Sequence, residues 1–196
     1  MTVNKKLEIG PSNPQRSVDG TSKATWDTLD SNYSPTFRCQ WGAERLPISN
    51  DTYDWVHASH VLEHVPWWQT RFSLSEVLRI LKPGGRFTVW VPDTIAIINK
   101  AEQDPEGFMQ LEKSWTGLRR TRQKRDPWLH MNARVLWGYR EREEGQIQHF
   151  HKAIFSRKSL KALLQDGGFN SVTALSRDVS IDPGHGWMEM GFECFK

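Results

Sequence analysis

The 196-residue chain is poor in cysteine, in long apolar runs and in net charge. Its two cysteines, Cys39 and Cys194, are too few for a disulfide scaffold. Both stand in apolar or strand-like surroundings, so two buried free thiols are expected. No apolar run approaches the roughly 18 residues of a membrane span. The opening residues Met1-Thr2-Val3-Asn4-Lys5-Lys6 lack the apolar segment of a signal peptide, so a cytoplasmic chain is expected. Twenty-six Lys and Arg against 23 Asp and Glu leave a net charge of +3, too little to demand a nucleic-acid partner. Internal repeats and low-complexity tracts are absent as well. What is present is a 37% hydrophobic, 11% aromatic composition with ten tryptophans, which excludes a disordered chain. A single domain of this length buries about 70% of its unfolded surface and needs no metal or disulfide to fold.

Apolar patterning alternates strand and helix through the first half. Leu7-Glu8-Ile9-Gly10 reads as a strand stopped by Pro11-Ser12-Asn13-Pro14. Arg16 to Gly20 reads as a very short second strand ending on Asp19, with a weak helix over 22–33. Phe37 to Trp41 and Tyr53 to Ala58 are further strands. Phe72, Leu74, Val77, Leu78 and Leu81 recur at helical spacing over Trp67 to Leu81, and Lys82-Pro83-Gly84-Gly85 ends that helix. Arg86 to Val91 is a clear strand, and Thr94 to Lys113 reads as one helix. Residues 114–150 are basic, aromatic and irregular, and are read as an insertion on the domain. Ser156 is a helix N-cap, Leu160, Leu163 and Leu164 form an apolar stripe, and Gly167-Gly168 closes it. Ser171 to Leu175 and Trp187 to Phe195 close the chain as two strands. The expected fold is α/β, with a mostly parallel, Rossmann-like sheet, an antiparallel edge hairpin and a shortened region near the first helix. In such a sheet ligands bind at the carboxyl ends of the strands, near the switch point. That rule gathers Gly10, Asp19, Trp41 to Glu44, Ser59 and His60 around one crevice.

At these residues the sequence resembles the class I S-adenosylmethionine-dependent methyltransferases. Leu7-Glu8-Ile9-Gly10-Pro11 is similar to the family's first motif. Ala43 to Asp54 is similar to its adenine-side loop and fourth strand. Leu81-Lys82-Pro83-Gly84-Gly85-Arg86-Phe87, the most specific stretch, matches the turn before its fifth strand. Ala58 to Val65 and Gln148 to Lys152 resemble a subgroup found beside glycan-biosynthesis enzymes. The resemblance implies S-adenosyl-L-methionine as cofactor, held by Glu8, Gly10, Pro11, Asp19, Ala43, Glu44 and Ser59. The chemistry of these residues suits it. Gly10 lets backbone N–H groups approach the methionine part. Glu8 can accept from its ammonium, and an acid at a strand end can accept both ribose hydroxyls. The sequence departs from the family in carrying only Gly10 where three spaced glycines are usual, and Gly42 where an acid commonly precedes Ala43. Only nine positions separate Gly10 from Asp19, too few for a crossover helix.

His60, His149 and His151 are the candidate catalytic residues. His149 and His151 flank Phe150, so on a strand they share a face, where they could act as a base, hold a metal or simply meet solvent. His60-Val61-Leu62-Glu63-His64 also matches the H-x-x-E-H pattern of a zinc hydrolase. The strand before it and Pro66 after it leave no room for the long helix that chemistry uses, so no metal is expected. The favoured function is methyl transfer to a hydroxyl or amine of a small-molecule or glycan acceptor, with the insertion as acceptor-side lid. A methyltransferase-fold binding module without catalysis and a zinc hydrolase are the alternatives. Arg119 to Arg125 reads first as a solvated face or loop; with Trp115, Trp128 and Trp137 it could hold a sugar by stacking or a nucleotide diphosphate by charge, or equally RNA.

Overall fold

A computed structural model describes residues 4–11, 26–31, 35–112, 126–136, 150–176 and 186–196. Seven strands form one sheet: β1 (Lys6–Ile9), β2 (Trp26–Asp30), β3 (Phe37–Arg38), β4 (Tyr53–Ser59), β5 (Leu81–Pro92), β6 (Asn170–Leu175) and β7 (Glu189–Phe195). Their spatial order is β3-β2-β1-β4-β5-β7-β6. The first five are parallel, and β7 runs antiparallel to both β5 and β6. From β1 the chain builds outward through β2 and β3, then returns to β4 on the other side of β1. The switch point therefore lies between the carboxyl ends of β1 and β4, where ligands bind in open sheets of this kind.

The core follows from the two-residue period of the strands. Leu7 and Ile9, Val56 and Ala58, and Phe87, Val89 and Val91 are buried together with Leu74, Val77 and Ile80 of α1 (Thr70–Ile80) and Leu160 and Leu164 of α5 (Arg157–Asp166). The opposite face of the central strands carries Glu8, His57 and Thr88 in register, all buried. The His57 ring meets the Thr88 hydroxyl at 2.7 Å. Ser156 caps α5 as expected, in a reciprocal capping box with Ser159. Both thiols are free and buried, and burial pushes Cys39 up to about 11 and Cys194 up to about 12.

Several elements differ from the sequence reading. Residues 26–30, placed in a weak helix, are the strand beside β1, because their backbone pairs with it in parallel from Lys6–Trp26 to Ile9–Leu29. The acid that ends the second strand is thus Asp30, and sixteen residues separate β1 from β2. Asp19 lies outside the described residues. Phe37 to Trp41 pairs only over Phe37–Arg38. A 3-10 turn, Trp67–Gln69, precedes α1, and another, Gly186–Met188, precedes β7. Strand β5 begins at once after α1: Leu81 pairs with Tyr53, Lys82 to Gly85 loop out, and pairing resumes at Trp55 with Arg86. Thr94 to Lys113 is not one helix but α2 (Thr94–Gln103) and α3 (Pro105–Glu112). Asp104 makes the break: its carboxylate accepts from the Gly107 N–H at 2.9 Å, and Pro105 suits a first helical position.

The described stretch of the insertion, residues 126–136, is helical. It contains α4 (Pro127–Leu136), which packs on α2 and α3. Met131 and Val135 join Ile97, Ala101 and Phe108 in a second small core. The run Arg119 to Arg125 lies outside the described residues.

Candidate active site

The carboxyl edge has two neighbouring parts. On the first, Gly10 leaves β1 with φ +65°, and its N–H donates to the Leu29 carbonyl at 2.8 Å. That bond sets Gly10 beside the end of β2. A Cβ at Gly10 would strike the Val61 side chain, so the first-motif loop lies directly against the segment that follows β4. The neighbouring turn is attached in the same way, since the Cys39 N–H donates to the Asp30 carbonyl at 3.1 Å.

Helix α1 fixes this turn from below. The Trp41 indole donates to the Ser73 carbonyl at 3.1 Å, and the Leu46 N–H donates to the Glu76 carboxylate at 2.8 Å. Arg79 donates to the Leu46 and Ile48 carbonyls and pairs with Glu76 at 2.7 Å. Between these anchors Ala43 and Glu44 remain exposed at the rim. Gly42 has φ +92°, and a Cβ there would lie 2.6 Å from Val65 and 2.7 Å from the Ser73 hydroxyl. This close approach is the physical reason that the acid usual before Ala43 is a glycine here.

The second part is a cavity of about 160 Å³, lined by His60, Glu63, His64, Pro92, Ile97, Arg134, His151 and Met188. The chain turns sharply out of β4: the His60 N–H donates to the Trp90 carbonyl at 2.9 Å, and His60 takes φ +55°. Leu62–His64 then form a single 3-10 turn, with Leu62 buried in the core and Glu63 buried beneath the pocket. The zinc-hydrolase pattern His60-Val61-Leu62-Glu63-His64 therefore does not form the helix that chemistry requires. His60 instead lies between two carboxylates, with Nδ1 3.2 Å from Glu63 and Nε2 2.9 Å from Glu189. His151 arrives from the distant segment after the insertion, and its Nε2 lies 3.9 Å from Glu63.

The electrostatics divide the histidines. Burial disfavours the charged form of His60, but hydrogen bonds and charge from Glu189 and Glu63 outweigh that and push it up to about 9. The two carboxylates thus favour the charged form of the His60 ring. Burial of Glu63 opposes its charge, yet His60 and the neighbouring rings hold its carboxyl below the usual range. His151 moves the other way, because burial lowers it more than Glu63 raises it. Arg134 of α4 adds a buried cation to the wall.

This topology and this crevice accompany a direct family match. A family model described as a methyltransferase domain matches residues 7–174. The chain belongs to the methyltransferase domain family. The methyl donor this membership implies is S-adenosylmethionine. Among solved structures, an S-adenosylmethionine-dependent methyltransferase from Thermotoga maritima, described as a possible histamine N-methyltransferase, is similar over 100% of this chain and 84% of its own. The TM-score is 0.53 at 15% identity. One from Mesorhizobium loti gives 0.55 at 10% identity, covering 99% and 92%. One from Archaeoglobus fulgidus gives 0.51 at 13% identity, covering 98% and 86%. These identities show a shared fold. A search of curated proteins finds no match.

For a methyltransferase domain, the described residues put Gly10, Pro11, Ala43, Glu44, Ser59 and His60 at the carboxyl edge of the sheet. Glu8 sits two residues deeper in β1 and is buried, not a solvated strand residue. His151 joins His60 at the cavity, but His149 lies outside the described residues. Sequence reasoning missed Asp30, whose signal was hidden by the helix-like spacing around it. It also missed Glu189 and Arg134, which come from the start of β7 and from α4 and carry no local motif. Glu63 had entered only as the acid of the zinc-hydrolase pattern. Among the described residues no helix is long and apolar enough to cross a membrane.

Proposed function

We propose that this methyltransferase transfers the methyl group of S-adenosylmethionine to a hydroxyl or amine of a polar small-molecule acceptor, a sugar or glycan intermediate. The observation that carries this reading is the polar cavity of Glu63, His64, His151 and Arg134, which shares the segment after β4 with the Gly10 loop. Cofactor and acceptor would then meet across Val61 and His60. Glu8, Gly10, Pro11, Ala43, Glu44 and Ser59 line the cofactor side. Asp30, the acid that ends β2 beside the Gly10 loop, accepts from the ribose hydroxyls in this reading, with Asp19 as the other candidate. His60, held between Glu63 and Glu189, serves as a positioning residue that fixes both carboxylates.

The reaction is a single in-line displacement. When bound, S-adenosylmethionine would supply the methyl group: the acceptor oxygen or nitrogen would bond to the methyl carbon, the carbon–sulfur electrons would stay on sulfur as S-adenosylhomocysteine leaves, and the acceptor's O–H or N–H proton would pass to water. Alignment and exclusion of water supply most of the acceleration, since the sulfonium is already activated. The cavity lining combines Pro92, Ile97 and Met188 with the polar side chains, as a sugar with its apolar and hydroxylated faces requires.

The test is a panel of acceptors incubated with methyl-labelled S-adenosylmethionine. Label on a hydroxyl or amine of a sugar or sugar phosphate is the expected result. Label only on RNA or protein, with none on any sugar, would contradict the acceptor class.

A further inference from the structure

The acceptor cavity contains a donor set that methyl transfer alone does not account for. One oxygen of Glu63 and one ring nitrogen each of His64 and His151 all lie within 4.8 Å of one another. Glu63 is buried; its one close partner among the described residues is the His60 ring at 3.2 Å, and neither carboxylate oxygen forms a hydrogen bond of good geometry. On its other side, toward His64 and His151, a bound cation would offset the remaining desolvation cost.

The two histidines are held by the backbone in one tautomer. His64 Nδ1 meets the Phe150 carbonyl at 3.3 Å, and His151 Nδ1 meets the Val135 carbonyl at 2.8 Å. A carbonyl oxygen only accepts, so in the neutral ring the proton sits on Nδ1 and the lone pair on Nε2. Metal-ligating histidines show this arrangement, with the far ring N–H tied to a carbonyl so that the ligating nitrogen is basic and correctly aimed.

We propose that Glu63, His64 and His151 form a divalent transition-metal site whose open coordination position holds the acceptor oxygen. Two imidazoles and one carboxylate suit zinc, cobalt or manganese better than magnesium or calcium, which prefer all-oxygen sites. Three protein ligands leave the fourth position to the cavity, as in catalytic rather than structural sites. Bonds of about 2.0–2.2 Å require the side chains to close slightly on the ion. His60 stands behind Glu63 and orients it. The expectation that no metal binds came from the missing hydrolase helix, and His151 completes the set from 87 positions beyond His64 in the chain.

The proposal rests on the methyltransferase reading only for the occupant of the open position, so metal binding is measured on the tag-free, chelator-stripped full chain without cofactor or acceptor. Titration with zinc chloride, followed by calorimetry and elemental analysis, should give one ion per chain. Glu63→Gln and His151→Ala should each weaken binding by about tenfold or more. Magnesium chloride should not compete. Imidazole nitrogen NMR of the unaltered chain gives a reading independent of variant folding: zinc should shift His64 and His151, saturating at one equivalent, and leave His57 unmoved. No stoichiometric binding, shifts confined to other histidines, or full binding in both folded variants would overturn the site. Loss of metal binding with S-adenosylmethionine binding intact would leave the methyltransferase reading standing, and the reverse result would strike that reading alone.

Discussion

The Glu63 carbonyl accepts the Lys152 backbone N–H at 2.7 Å, and the Ala153 N–H at 3.1 Å. This pairing of the turn after β4 with the segment after the insertion brings His151 to Glu63. It is backbone geometry, independent of any ligand.

Hydrogen exchange checks that attachment. The amides of Lys152 and Ala153 should be protected in the free protein to a degree approaching β4, because both are paired and Ala153 is buried. Exchange at the rate of an open loop would mean that His151 is delivered only on binding, as a lid would deliver it.

Gly10→Ala tests the contact between the cofactor loop and the acceptor segment. The new Cβ meets Val61, and the positive φ adds strain of about 1–2 kcal/mol. The variant should melt lower and bind S-adenosylmethionine more weakly. Adding Val61→Ala should recover part of the loss, since it relieves the contact but not the backbone strain. Equal melting temperatures for Gly10→Ala and the parent would show that the approach is not as close as described.

Glu76 and Arg79 give a pH dependence. The Arg79 guanidinium, helped by the Leu46 N–H and against the effect of burial, holds the Glu76 carboxyl below the usual range. A depressed carboxylate stabilises the fold above its unfolded pKa of about 4.3, and that stability is lost as pH falls through the folded value. Glu76→Gln should therefore cost about 1.5–3 kcal/mol near pH 7. The gap between variant and parent melting temperatures should narrow steadily as pH drops into the acid range. A gap that stays constant with pH would remove the charge from the explanation.

The sheet was legible because its central strands carry period-two burial and its turns carry proline and glycine. Leu7 to Gly10, Tyr53 to Ser59 and Lys82 to Gly85 needed little more than local sequence. β2 was not legible. Trp26 and Leu29, three apart, read equally as one helical face, and only pairing with β1 decides between strand and helix. That misreading hid Asp30, the acid that ends β2. The polar cavity was half legible: His60 and His151 stood out as histidines beside motifs. Their partners Glu63, Glu189 and Arg134 are brought together by contacts up to 129 positions apart, which no local pattern records.

Calorimetric titration of the purified chain with S-adenosylmethionine, run beside Asp30→Ala and Asp19→Ala, tests cofactor binding most directly. One site per chain is expected, competed by S-adenosylhomocysteine. Asp30→Ala should weaken it by about 1–3 kcal/mol through lost hydrogen bonds to the ribose, and Asp19→Ala should weaken it less. No binding to the unaltered chain would contradict the central claim, and a loss confined to Asp19→Ala would return the ribose to the loop between β1 and β2.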